Sequence, residues 1–423
     1  MAQNEAATQK NSFWPAVAAL SGIPFIMVLG NSMLIPLLPD IRNALNLTPV
    51  KVSLFITLFS IPAGFIIPVA GFLSDRYGRK VVIIPALIVY GLGGIIAALG
   101  AIFANQLAYP IILSGRVIQG LGAAGTAPIA MALCGDLFKG KERSRSLGAI
   151  ESSNGLGKVI SPILGSAIGL IAWYAAFLFF PLIVIPVVTG VWFIVKEPEA
   201  NRSKQKLGQY LKSFSDVFKK NTGLLLSSYF AGAVALMVLF GVLFYLSEYL
   251  EQQFGLDGVQ KGLALAVPVL FMSVMSFITG FIIKKKMDLM KYLVVAGLAA
   301  MTASLVFLPL TKAVLVYFVA ISVIGLGTGT VLPCLNTLIT STATIQERGL
   351  VTALYGSVRF FGVAFGPPIY GFLMAKGIVL MFWSSAALTL IGAVLVLAFA
   401  QIEVSAGKQT GMFVFQPSPA RKP

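Results

Sequence analysis

The chain has 423 residues, of which 57% are hydrophobic and 11% charged. Soluble globular chains carry about 25% charged residues, so the composition excludes an ordinary soluble domain and indicates a polytopic membrane protein. The formal net charge of +16 resides in short basic runs between apolar segments, the pattern of loops on one side of a bilayer and not of a nucleic-acid-binding surface.

Apolar runs predict twelve spanning helices at approximately 14–38, 51–73, 81–103, 107–134, 147–170, 173–195, 223–247, 259–283, 291–310, 313–338, 350–374 and 377–401. Helix is required because lipid offers the backbone no hydrogen bonds. Residues 1–12 are polar, and the first apolar run reads as a retained span and not as a cleaved signal. Alternate loops carry most of the 31 Lys and Arg, including Arg76, Arg79, Lys80, Lys139, Lys141, Arg143 and Arg145. The opposite loops hold Arg42, Lys51, Lys261, Lys312 and Lys376. That bias places both termini in the cytoplasm and the chain in the plasma membrane.

The expected organisation is a six-helix bundle over 1–195, a cytoplasmic linker over 196–222, a second six-helix bundle over 223–401 and a cytoplasmic tail over 402–423. In the linker, Leu207, Tyr210, Leu211, Phe214, Val217 and Phe218 recur at helical spacing among lysines. This predicts an amphipathic helix on the inner leaflet, with a solvated linker as the alternative. The halves repeat. Gly120, Gly122 and Pro128 recur 205 residues later as Gly325, Gly327 and Pro333, and Gly157 and Pro162 as Gly362 and Pro367. Nearer the start of each half, Leu47, Val50 and Gly71 match Leu256, Val259 and Gly280 at an offset of 209. Two parallel repeats that rock about a site at their interface give alternating access.

The stretch Gly71-Phe-Leu-Ser-Asp75-Arg76-Tyr-Gly78-Arg79-Lys80 follows the second span. Gly71 is suited to close helix contact and Gly78 to a tight turn, while Asp75 is placed to bond a helix N-terminus or Arg79. The decapeptide resembles the loop 2–3 signature of the major facilitator superfamily. That resemblance implies a latch on the cytoplasmic side, which Asp136 at the end of the fourth span would join. Gly30-x5-Pro36-x2-Pro39 and Arg116-x2-Gln119-Gly120-x-Gly122 resemble the first- and fourth-helix patterns of the twelve-span drug:proton antiporters. There the arginine is implicated in proton transfer. Gly148-x8-Gly157-x3-Ser161-Pro162-x2-Gly165 is similar to their fifth-helix packing motif, with serine in place of glycine at Ser161 and Ser166 and Lys158 within it. The resemblance covers essentially the whole chain and implies an all-α integral membrane fold of two pseudo-symmetric bundles.

On the fifth span, Glu151, Asn154, Lys158, Pro162 and Gly165 fall on one face. Glu151 and Lys158 are about 10.5 Å apart along the axis, too far for direct contact. A charge in mid-span costs roughly 2.5–3.5 kcal/mol by insertion scales and usually faces a cavity. Glu151 is therefore the expected protonation site, tuned by Arg116 or by Arg359 on the eleventh span, with Asn31 on the first span completing the set. A structural ion pair of Glu151 with Lys158 through water, or with an arginine, is the alternative. With one carboxylate against three cations, the cavity favours anionic or zwitterionic amphiphiles. Tyr245, Tyr249, Tyr355, Phe360 and Phe361 are candidates for an aromatic lining, and Glu248 for an interface residue. The sequence contains no His, so neither an imidazole proton site nor an imidazole metal site is available, and no metal or cofactor is expected. Cys134 and Cys334 read as structural thiols.

The leading expectation is a monomeric secondary transporter that exchanges protons for small apolar or amphiphilic compounds such as drugs. An uptake symporter or facilitator of a metabolite is the first rival, and a polytopic membrane enzyme the second.

Overall fold

The computed structural model describes residues 2–197, 208, 222–285, 289–311, 313–341 and 348–400. The linker helix and the tail fall outside the described residues, apart from the linker's two ends and Gly208. In chain order the helices are α1 (Ala2–Ser32), α2 (Leu38–Ala44), α3 (Pro49–Tyr77), α4 (Arg79–Phe103), α5 (Ala108–Ala124), α6 (Ala127–Leu137), α7 (Gly140–Gly169) and α8 (Ala175–Ile194). They continue as α9 (Thr222–Phe254), α10 (Gly258–Lys285), α11 (Met290–Phe307), α12 (Val314–Ser341), α13 (Arg348–Met374) and α14 (Ile378–Phe399).

Among the described residues, eleven stretches are long and apolar enough to cross a membrane. The remaining long helix, α7, is diluted by Glu142, Arg143, Arg145, Glu151 and Lys158, yet its 30 residues give it ample length. With it, every expected span has a helix. Two spans are broken where a continuous helix was expected. The first stops at Ser32, and a 3-10 turn at Ile35–Leu37 leads into α2. The fourth is divided between α5 and α6 at Gly125 and Thr126. Proline accounts for both interruptions: Pro36 and Pro128 lack an N–H and crowd the carbonyl four residues back. Pro333, the repeat mate of Pro128, sits inside an unbroken α12.

The packing obeys the repeat. In the first half α1 packs on α7 and α8, α3 on α5, and α4 on α5 and α8. In the second half α9 packs on α13 and α14, α10 on α12, and α11 on α12 and α14. Each pair in one list has its counterpart in the other. The closest approaches coincide too. A Cβ added at Gly120 would land on the carbonyl oxygen of Phe59, and one at Gly325 on that of Pro268. These contacts are repeat mates, and they let backbones meet where lipid supplies no hydrophobic drive for association.

The halves meet along a seam where α3 packs on α13 and α7 on α10. One end of the molecule carries Arg76, Arg79, Lys80 and Lys139 and is termed the basic face; the other is the far face. From the far face, Gly371 lies on Pro49, Thr57 donates to the carbonyl of Ala364 at 2.7 Å, and Gly64 packs on Phe361. Gly262 meets Pro162 and Ser166. Contact runs out toward the basic face. Added Cβ atoms at Gly71, Gly148, Gly280 and Gly349, one on each seam helix, would meet nothing within 4 Å. Gly71 was expected to permit close helix contact; in this conformer the facing helix has drawn away from it.

Gly120→Ala and Gly325→Ala place a methyl group against unyielding backbone and should each destabilise by about 1–3 kcal/mol. Thermal unfolding of the detergent-solubilised protein will show a lower midpoint for both. Gly148→Ala, with open space around it, should leave the midpoint unchanged or raise it.

Candidate functional site

Arg116 is buried completely, at 0% exposure, where α1, α3 and α5 meet. Its Nε donates to the carbonyl of Phe55 at 2.8 Å, and one terminal nitrogen donates to the carbonyl of Gly30 at 2.7 Å and to Asn31 Oδ1 at 3.3 Å. The other donates to Gln119 Oε1, and the guanidinium lies 4.4 Å from the centre of the Phe59 ring. Asn31 in turn donates to Ser60 Oγ at 2.9 Å. No carboxylate takes part. The carbonyl of Gly30 is available because the helix breaks two residues later, which frees the last-turn acceptors of α1. Arg116 and Asn31 thus form one site inside the first bundle, and neither contacts Glu151.

Glu151, Asn154 and Lys158 belong to α7. The same helix turns Ser153 toward the carbonyl of Ser21 at 2.7 Å, Gly157 toward Phe25 and Gly165 toward Met33, all on α1. Its Pro162 and Ser166 face Gly262 of α10. At 100° per residue, Glu151 and Lys158 point between these two contacts, into the seam. Glu151 is exposed and Lys158 half-buried. Arg359 of α13 is also half-buried and comes from the opposite bundle; it and Glu151 are the charged groups that act on Lys158. Among the described residues, none of the three has an ion-pair partner within 4.0 Å. Arg359 Nε and Asn154 Oδ1 are buried without a hydrogen-bond partner. The two positions are repeat mates, 205 residues apart.

The fifth-helix motif therefore has divided duties. Gly157 and Gly165 pack on α1, buried Ser161 donates to the carbonyl of Gly157 in its own helix, Pro162 serves the seam, and a Cβ added at Gly148 would meet nothing within 4 Å. The aromatic candidates also separate. Tyr355 lies 5.5 Å from the Arg359 guanidinium and stacks on Tyr229, and Phe361 meets Phe65 across the seam at 5.0 Å. Tyr245 and Tyr249 stack within the second bundle with Tyr317.

The far face is bound by charge. Arg42 of α2 pairs with Glu248 of α9 at 2.5 Å, and Glu248 is only 1% exposed. Lys261 of α10, also 1% exposed, pairs with Glu251 at 2.8 Å and lies 3.8 Å from Asp40 of α2. Asn43 donates to Glu251 and Ser247 to the carbonyl of Ile35. Among the described residues Glu248, and not Glu151, is the buried carboxylate. Sequence reasoning assigned Arg42 and Lys261 to loops. The signal that tied them together was available only as opposite charges at equivalent heights on two halves.

At the basic face Arg79 pairs with Asp75 one turn before it and with Asp136 at 3.3 Å. Gly78 adopts φ 116°, which only glycine takes readily. The N-terminus of α4 that follows is capped by Glu197, whose carboxylate accepts from the backbone N–H of Arg79 at 2.6 Å and of Lys80 at 2.9 Å. Lys80 donates to the carbonyls of Trp192 and Val195 at 2.6 and 2.8 Å. Asp75 thus takes Arg79, and the helix N-terminus goes to Glu197, which sequence reasoning missed. Arg76 lies over the Tyr77 ring at 5.7 Å. These described contacts stay within the first half.

Residues 20–367 match the family model of the Major Facilitator Superfamily. The chain is 42% identical over 383 residues to the bacillibactin exporter of Bacillus subtilis, covering 90% of this chain and 95% of that one. It is 22% identical over 386 residues to multidrug resistance protein 1 of the same organism, covering 89% and 94%. Among solved structures, that of a D-xylose-proton symporter superposes with a TM-score of 0.73 at 13% identity, covering 92% of this chain and 97% of that one. The human organic anion transporter MFSD10 gives 0.69 at 18%, covering 91% and 99%. At such identities the structures speak for the fold alone. Their fold, the family match and the near full-length relative agree: this chain is a multi-pass membrane transporter, not an enzyme, and belongs to the Major Facilitator Superfamily.

Proposed function

We propose that the protein exports small apolar or amphiphilic compounds in exchange for protons, by alternating access, with its basic face and both termini in the cytoplasm. The observation that carries this reading is the seam. It is pinned by ion pairs at the far face and parted at the basic face, with unpaired Glu151, Lys158 and Arg359 between. This is the arrangement of an inward-open carrier whose binding site is wet. Positive-inside bias supports the orientation. The relative named an exporter supports the direction of transport.

Glu151 takes the proton role in this scheme. Its face of α7 is reached from the basic side while the far face is sealed, and rocking of the bundles would expose it to the other side. One proton entering through 100 mV supplies about 2.3 kcal/mol, enough for roughly a 40-fold gradient of an exported neutral compound. Arg116, held by carbonyls, keeps α1, α3 and α5 in register, and the Asp75–Arg79–Asp136 group waits for α13 to return.

Two outcomes are expected. In energised everted vesicles, Glu151→Gln should abolish proton-driven movement of a neutral dye such as Nile red while leaving downhill exchange intact; undiminished proton coupling would remove Glu151 from the role. At the far face, Glu248→Gln removes one partner of a buried pair, a loss of about 3–5 kcal/mol where burial is complete. The closed far face should then open more often. Labelling of a cysteine at Ser247 by an impermeant maleimide from outside should rise several-fold, and the exchange Arg42→Glu with Glu248→Arg should bring it back down.

A further inference from the structure

Lys158 and Arg359 present a physical problem that the transport cycle alone does not answer. They come from opposite bundles, act on one another through like charge, and have no ion-pair partner among the described residues. The two fully buried cations among the described residues are both met by acceptors. Arg116 has carbonyls and amide oxygens, and Lys261 has two carboxylates. Two cations facing each other across a joint that must close resist closure unless an anion lies between them. Glu151 is the nearest internal anion, but it is exposed and lies two turns along α7 from Lys158.

We propose that Lys158 and Arg359 form a seat for the anionic group of the transported compound, one contact on each bundle, and that the ligand is an aromatic organic acid such as a carboxylate or sulfonate. The buried Arg359 Nε, a donor without a partner, completes the polar end of this seat. The apolar end is also present. Tyr355, stacked on Tyr229, lies beside Arg359 and supplies an aromatic surface there. A cationic compound would add a third positive charge to this space. An anion neutralises the repulsion and draws the bundles together, so binding and closure are the same event. The transport consequence rests on the export reading above; the ligand chemistry does not.

The test uses two dyes with one ring system, anionic fluorescein and cationic rhodamine 123, and the purified full chain in detergent, with fluorescence polarisation as the readout. The protein should bind fluorescein more tightly than rhodamine 123 by about tenfold or more, less so as salt rises from about 0.05 to about 0.5 M. Lys158→Gln and Arg359→Gln should each weaken fluorescein binding about tenfold, and together reverse the preference. Lys158→Arg and Arg359→Lys should retain most of it, which separates lost charge from lost folding. Equal or tighter binding of rhodamine 123, or an unchanged ratio in the charge-removing variants, overturns the proposal. Fluorescein binding as expected without proton-driven efflux from proteoliposomes would sink the export reading and leave the ligand class standing. Efflux of rhodamine 123 in preference to fluorescein would do the reverse.

Discussion

A charge carried into the membrane must find a partner or reach water, and the arrangement of this protein follows from how each of its charges does so. Three solutions occur. Arg116 is satisfied by carbonyls freed at a helix break and by amide oxygens, so that a cation with no counter-ion becomes the fastener of three helices. Arg42 pairs with Glu248 and Lys261 with Asp40 across the seam and tie the two halves at the far face, with Glu251 joining Lys261 from its own half. Glu151, Lys158 and Arg359 do neither, and they line the part of the seam that has come open. The first lies within one bundle, the second joins the two halves at one face, and the third stands at the seam without an ion-pair partner among the described residues.

Backbone proximity makes these solutions possible. Without a hydrophobic force between helices in lipid, packing depends on how closely the backbones approach. Gly120 and Gly325 bring α5 onto α3 and α12 onto α10 at equivalent heights in the two halves. Each bundle is thereby closely joined within itself. The seam helices carry glycine as well, but at their basic ends it stands in open space. Packing between the bundles is close toward the far face and open only at the basic ends.

The two faces differ in kind. At the far face the ion pairs cross the seam, so separating the halves exposes charges that were buried. At the basic face the charged contacts of Arg79, Lys80, Asp75, Asp136 and Glu197 lie within the first half. They hold the α3–α4 turn in shape while the opposite bundle stands away. The asymmetry is that of a molecule closed on one side and waiting on the other.

Much of this was legible in the amino-acid order. Apolar runs of bilayer length have one structural solution, so the spans, the repeat at its two offsets and the superfamily signature were readable residue by residue. So was the face of α7 that carries Glu151 and Lys158, because helical periodicity is local. The breaks near Pro36 and Pro128 were not legible: continuous spans were expected there, and the identical residue at Pro333 left its helix whole, so neighbours decide whether a freed carbonyl is tolerated. What only the tertiary structure decided was partnership. Arg116 lies one span from Glu151 in sequence yet binds Gly30, Phe55 and Gln119. Glu248 is bound by Arg42, 206 residues away, and Glu197 caps a helix that begins 118 residues earlier. A sequence lists which charges must be satisfied, but the rotation and height of each helix against its neighbours determine which acceptor stands within 3 Å, and those are fixed only when the bundles pack.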